Sequence, residues 1–211
     1  MKKARSIFIL LCLSILFISC STFYPSKYPA RLPQAQCLPS FPDQNGWYGG
    51  DGAYSIALDE RRTLWIFGDT FVAEQEGQKD RIGMDVVLGT TLAVSICSAD
   101  KKFSIQYFLK KKDGKFTSSF GDGEWLWPQD PFIAGGALYI PLLVVENLMA
   151  SQAPFNFKIT GHKIARIKDF SADDPHQWPV DYLNWTGALA PGVQALATTS
   201  IVRRDYVYFF P

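Results

Sequence analysis

Three aspartates stand in settings suited to acid–base chemistry. Asp51 lies in "WYGGDG" between Gly50 and Gly52, Asp69 closes the run "TLWIFGD", and Asp130 sits in "WPQDPF". Glycines beside a carboxylate let the backbone approach a ligand and adopt torsions closed to other residues. Carboxylates in unequal environments can divide the roles of general acid and base, as cleavage of a glycosidic bond requires. Each acid also has a plainer use. Asp51 can bond its own backbone in a turn, Asp69 can end a strand as an Asx turn, and Asp130 precedes Pro131, which favours an extended, turn-starting residue. Trp47, Tyr48, Trp125, Trp127 and Trp185 carry rings that could stack on a sugar beside these acids or fill a core. Trp47, Tyr48 and Trp125 are the expected substrate contacts.

Other chemistries are thinly represented. His162 and His176 are the only histidines, so a three-histidine zinc site cannot be built. His162 has Lys163 and Arg166 as neighbours on an expected surface strand, and His176 lies in the polar loop "DDPHQW"; neither is expected to be catalytic. There is no phosphate-binding glycine loop, nucleophile elbow or metal-spaced Cys/His cluster, so no metal or cofactor is expected. The basic run from Lys110 to Lys112 reads as a solvated hairpin end.

The elements that must position the acids are strands. The chain has 211 residues, of which 47% are hydrophobic and 15% aromatic, so a packed core is within reach. Sixteen Gly and thirteen Pro, with short alternating runs from Trp47 onward, indicate an all-β protein of antiparallel sheets. "AYSIAL", "DERR" and "TLWIFGD" predict a hairpin, followed by strands at "TTLAVSIC" and "KFSIQYFLK". A Trp-rich approach, an Asp, a short strand, the turn "AGG" and a second strand recur in "WLWPQDPFIAGGALYIPLLVV", with Asp130 at the place of Asp51. "KITGHKIARIKDF" adds an outer strand and "SADDPHQWPVDYLNW" a loop. "TTSIVRRDYVYFF" repeats the hairpin a third time, with Thr198 or Thr199 near the Asp position.

The N-terminus reads as an address. Residues 1–5 are basic, residues 6–18 almost wholly apolar, and "LFISC" resembles a bacterial lipobox, predicting a signal peptide over 1–19 and lipidation of Cys20. A signal anchor that is never cleaved is the other reading of this segment. Ser21 after the cysteine points to the outer membrane. Residues 20–46, rich in Pro and polar residues, read as a tether, and residues 47–211 as the domain. Removing the first nineteen residues takes away Lys2, Lys3 and Arg5 but no acid, so the formal charge falls from +1 to −2. A nucleic-acid partner is therefore disfavoured. Export leaves Cys37 and Cys97 as the one pair available for a disulfide, or as two separate thiols.

The run "WYGGDGAYSIALDERRTLWIFGDTFV" resembles the opening motif of the lipoprotein and secreted family known as domain of unknown function 4185 and its neighbours. The likeness continues through "RIGMDVVLGTTLAVSIC", "WPQDPFIAGGALYIPLLVV", "DDPHQWPVDYLNW" and "DYVYFF". It implies a five-bladed β-propeller of the arabinanase type, some relatives being endo-acting hydrolases of arabinofuranose polymers. By position it implies Asp51 and Asp69 as the acid pair and Asp130 as a supporting carboxylate. The expected function is that of a surface lipoprotein acting on an envelope polysaccharide, as a glycoside hydrolase or as a non-catalytic binding protein. Counted in blades, the chain supplies about three, the last incomplete. This predicts a truncated piece of a larger protein, poorly soluble and inactive alone.

Overall fold

The turn "DERR" is held by its first residue. Asp59 Oδ1 accepts hydrogen bonds from the backbone N–H groups of Arg61 and Arg62 at 2.9 and 2.7 Å, and Oδ2 accepts from Arg62 Nε at 2.7 Å. The Arg62 side chain foremost, then those two backbone donors, hold the Asp59 carboxyl at about 2. This turn joins β1 (Trp47–Ala57) to β2 (Arg62–Val72), which pair antiparallel. The computed structural model describes residues 37–74, 81–148, 156–185 and 199–210, all within one compact unit, Gln36–Pro211. The expected signal segment, Cys20, the tether before Cys37, and Thr198 lie outside the described residues. No helix among the described residues is long and apolar enough to cross a membrane.

The first sheet continues with β3 (Asp85–Val87), β4 (Thr91–Cys97) and β5 (Phe103–Phe108), in the order β1, β2, β4, β5. β3 and β4 succeed one another along β2, with a break at residues 88–90. The lysine run forms β6 (Lys110–Lys112), which pairs with β7 (Lys115–Thr117) in a small separate hairpin. The second sheet repeats the pattern. β8 (Trp125–Pro128) and β9 (Phe132–Ala134) both pair with β10 (Ala137–Asn147), followed by β11 (Phe157–Ile167) and β12 (Val180–Asn184). β12 lies inside the segment expected to be a loop; Tyr182 and Val180 on it pair with Ala165 and Ile167 and extend the sheet. A last hairpin, β13 (Thr199–Arg203) and β14 (Tyr206–Phe210), turns at Arg204, whose φ is +55°. The chain is thus all-β, in separate open antiparallel sheets; a closed ring of blades is not formed among the described residues.

One apolar core lies between the two large sheets. Leu64, Ile66, Leu92 and Val94 of the first meet Leu126, Leu138, Ile140, Leu142, Ala165 and Ile167 of the second. The alternation of β2 and β4 also loads their other face, where Trp47, Phe67, Ala93 and Tyr107 form a second cluster. Trp47 stacks on Tyr107 with centroids 4.2 Å apart and planes 8° from parallel. Residues 37–46, expected to be tether, cover this cluster. Phe41 packs edge-on against Trp65 and Phe67, and Gln44 Nε2 donates to the Ile105 carbonyl. A disulfide joins Cys37 to Cys97 at the end of β4, with Cα atoms 5.8 Å apart. The domain therefore begins before Trp47, because an apolar sheet face needs a cover.

Two outcomes are expected. Reducing the Cys37–Cys97 bridge, which closes a loop of sequence separation 60, should lower unfolding stability by roughly 2 to 4 kcal/mol in urea titrations. The folded value of Asp59 lies below its ordinary 3.8, so its turn contributes stability above that pH and loses it as pH falls through about 2. A carbon-detected NMR titration of Asp59 should therefore show a midpoint of about 2.

Candidate functional site

The glycines around Asp51 bend β1 rather than merely loosen it. Register shifts fall between Trp47 and Gly50, Gly50 and Gly52, and Gly52 and Tyr54. Such bulges re-aim the side chains they carry. At Gly50 a Cβ would lie 2.8 Å from Thr70 Oγ1 and 2.9 Å from Phe67 Cβ, so only glycine fits between these fixed neighbours. Gly68, across the pair, would place a Cβ 3.2 Å from that of Asp51. Asp51 consequently stands exposed at a distorted strand with little opposite it.

A pocket of about 190 Å³ opens there, lined by Asp51, Gly52, Tyr54, Gly68, Trp127, Pro128 and Gln129. The first sheet supplies the carboxylate and the phenol, β8 of the second supplies the indole, and Gln129 just after β8 supplies the amide. Burial, and then the negative charge of Asp130, raise the pKa of the Tyr54 phenol, so this group stays protonated and able to donate. Gln129 is buried; its Nε2 donates to the Pro128 carbonyl at 2.9 Å, and its Oε1 has no hydrogen-bond partner among the described residues.

Asp69 sits on the next strand, with one oxygen held by three donors. Its Oδ1 accepts from the Gly89 backbone N–H at 2.8 Å, Trp125 Nε1 at 2.9 Å and Trp127 Nε1 at 2.8 Å. One carboxylate oxygen thus fixes both β8 tryptophans and the break between β3 and β4. The two indoles meet edge-on, 5.4 Å apart, and both pack against Phe157. Asp130 occupies the break between β8 and β9, as Asp51 occupies the bulged part of β1. Its Oδ2 accepts from Ser200 N at 2.7 Å and Ser200 Oγ at 3.2 Å, which ties the start of β13 to the second sheet.

The expected aromatic contacts divide. Trp125 is half-buried beside Asp69. Trp47 and Tyr48 are corrected: both are buried, at 5% and 2% exposure, and Trp47 belongs to the second core cluster. Trp127 is the indole that reaches the pocket. Tyr54 and Gln129 carried no signal in the sequence, since only the crossing of two sheets makes them neighbours. Among the described residues no group of three or more His, Cys, Asp or Glu side chains could hold a metal ion. Replacing Asp69 by Ala removes the shared acceptor of three N–H donors. The variant should lose roughly 2 to 4 kcal/mol of stability and shift tryptophan emission to the red, with Asp69→Asn milder on both measures.

Comparison with known proteins adds a family but no activity. Residues 40–180 match the family model described as Domain of unknown function (DUF5005). No curated protein matches the sequence. Among solved structures, one chain from Bacteroides ovatus described as a "putative hydrolase" is similar with a TM-score of 0.44 and 14% identity, over 61% of this chain. This chain spans 37% of that protein's length. With the family model covering most of both large sheets, the chain belongs to the DUF5005 family, a domain of unknown function.

Proposed function

We propose that this chain is a lipid-anchored protein of the bacterial envelope, at the outer membrane, whose β-domain acts on a polysaccharide with the chemistry of a glycoside hydrolase. The observation that carries this reading is the pocket where an exposed carboxylate, Asp51, shares a wall with the Trp127 indole and the Tyr54 phenol. An aromatic face packs on the apolar face of a sugar ring, while a carboxylate and a phenol bond its hydroxyls. Asp51 serves as acid or base. Asp130, whose charge reaches Tyr54, is the second carboxylate, and Asp69 positions Trp125 and Trp127.

The resemblance to domain of unknown function 4185 and to arabinanase-type propellers supports arabinofuranose polymers as the first substrates to try. The two large sheets, one with Asp51 on a bulged strand and the other with Asp130 at a strand break, support a propeller-like arrangement. The basic, apolar and Cys20 order at the N-terminus supports the anchor, so the membrane and a polysaccharide are the partners, and nucleic acid is not.

A second reading, carbohydrate binding without cleavage, is favoured by one feature. Asp69 and Asp130 each spend a carboxylate oxygen on holding neighbouring strands. The chain starting after Cys20, incubated with arabinans, arabinogalactans and other polysaccharides, should release reducing ends. Release should fall roughly 100-fold or more in Asp51→Asn and in Asp130→Asn. Binding without release, indifferent to Asp51→Asn, would instead establish the binding protein.

A further inference from the structure

Two turns far apart in sequence meet beside the interface of the large sheets. Ser119 lies between β7 and β8, and His176 lies in a single 3-10 turn, Pro175–Gln177, between β11 and β12. Ser119 Oγ is 3.0 Å from His176 Nε2. His176 Nδ1 is 3.7 Å from Asp174 Oδ1, and that same oxygen accepts the His176 backbone N–H at 2.8 Å. Asp174 thereby caps the turn and keeps its charge beside the ring. For Nε2 to accept the serine proton, the ring hydrogen must sit on Nδ1, and the nearby carboxylate favours that tautomer.

The surroundings suit a base. The imidazole packs edge-on against Phe108, 6.4 Å between centroids. Burial foremost lowers its pKa below 6.5; Lys110 lowers it further and Asp174 opposes the shift, so the ring is neutral near pH 7 and can take a proton. Ser119 is fixed through its backbone N–H, which donates to the Thr90 carbonyl at 2.7 Å.

We propose that Ser119 and His176, positioned by Asp174, form a reactive centre separate from the Asp51 pocket that hydrolyses carboxylic esters of small acyl groups. Ser119 Oγ attacks the carbonyl carbon while its proton passes to His176 Nε2. The adduct collapses, the C–O bond to the alcohol breaks, and the alcohol leaves with that proton. Water then attacks the acyl-serine by the same route, releasing the acid and restoring Ser119. The half-buried setting of the pair limits the acyl group to a small one.

The test treats the full chain with diisopropyl fluorophosphate, which forms a serine phosphoester with loss of fluoride, and maps the adduct by peptide mass spectrometry. The expected adduct is on Ser119, absent in Ser119→Ala, and formed roughly 100-fold more slowly in His176→Gln. The charged groups facing the ring are Asp174 and Lys110. Asp174→Asn keeps a capping oxygen but removes the charge that raises the imidazole value, so the pH midpoint of labelling should move down. A merely structural cap would leave it in place. No adduct on Ser119, or a rate indifferent to His176→Gln in a variant with wild-type unfolding, overturns the proposal. If His176→Gln does not fold, the wild-type profile decides: a midpoint below 6.5 supports the centre and a flat profile overturns it.

Discussion

A sheet buried on both faces is the constraint from which most of this structure follows. β2 and β4 carry apolar residues at successive positions, with Leu64, Trp65, Ile66 and Phe67 on one and Leu92, Ala93 and Val94 on the other. Alternate residues must point to opposite faces, so neither face can meet water without loss. The second large sheet covers one face and residues 37–46 the other. The disulfide therefore closes the strap that hides the aromatic cluster, and Trp47 is drawn into that cluster.

Several of the polar groups trapped by this packing find partners within it. Thr70 and Thr91 share a hydroxyl hydrogen bond of 2.8 Å, and Thr90 Oγ1 donates to the Leu126 carbonyl at 2.8 Å. Asp69 belongs to the same set. A carboxylate with three N–H donors on one oxygen is well compensated, because unpaired indole donors at a sheet junction would be costly. Its position ties the geometry of the pocket to the junction of the sheets: Trp127 faces the pocket at one edge and is held by Asp69 at another.

The pocket and the Ser119–His176 pair both bring together residues far apart in sequence. Asp51 sits on a bulged strand, and Ser119 and His176 lie in connections between strands. Such irregular backbone is where functional side chains concentrate, because a regular strand offers each residue only two directions.

The local pattern determined much. Alternation and turn residues were enough to place the β1–β2 hairpin, the strands at residues 91–97 and 157–167, the "AGG" turn and the last hairpin, since period-two burial and turn chemistry act over a few residues. The place of Asp51 among glycines likewise marked a distorted strand. Roles decided by long-range packing were not legible. Trp47 and Trp127 have similar aromatic surroundings in the sequence, yet one is stacked in a core and the other opens on a pocket. Asp69 and Asp51 both follow a glycine, yet one oxygen of Asp69 accepts from two indoles and a backbone N–H while Asp51 stands exposed. The contact between His176 and Ser119, 57 positions apart, is likewise one that no local pattern marks. Side-chain type and spacing thus specified most of the strands, because their signals are local, while the face-to-face packing of two sheets decided which polar groups are bound into the structure and which stay exposed.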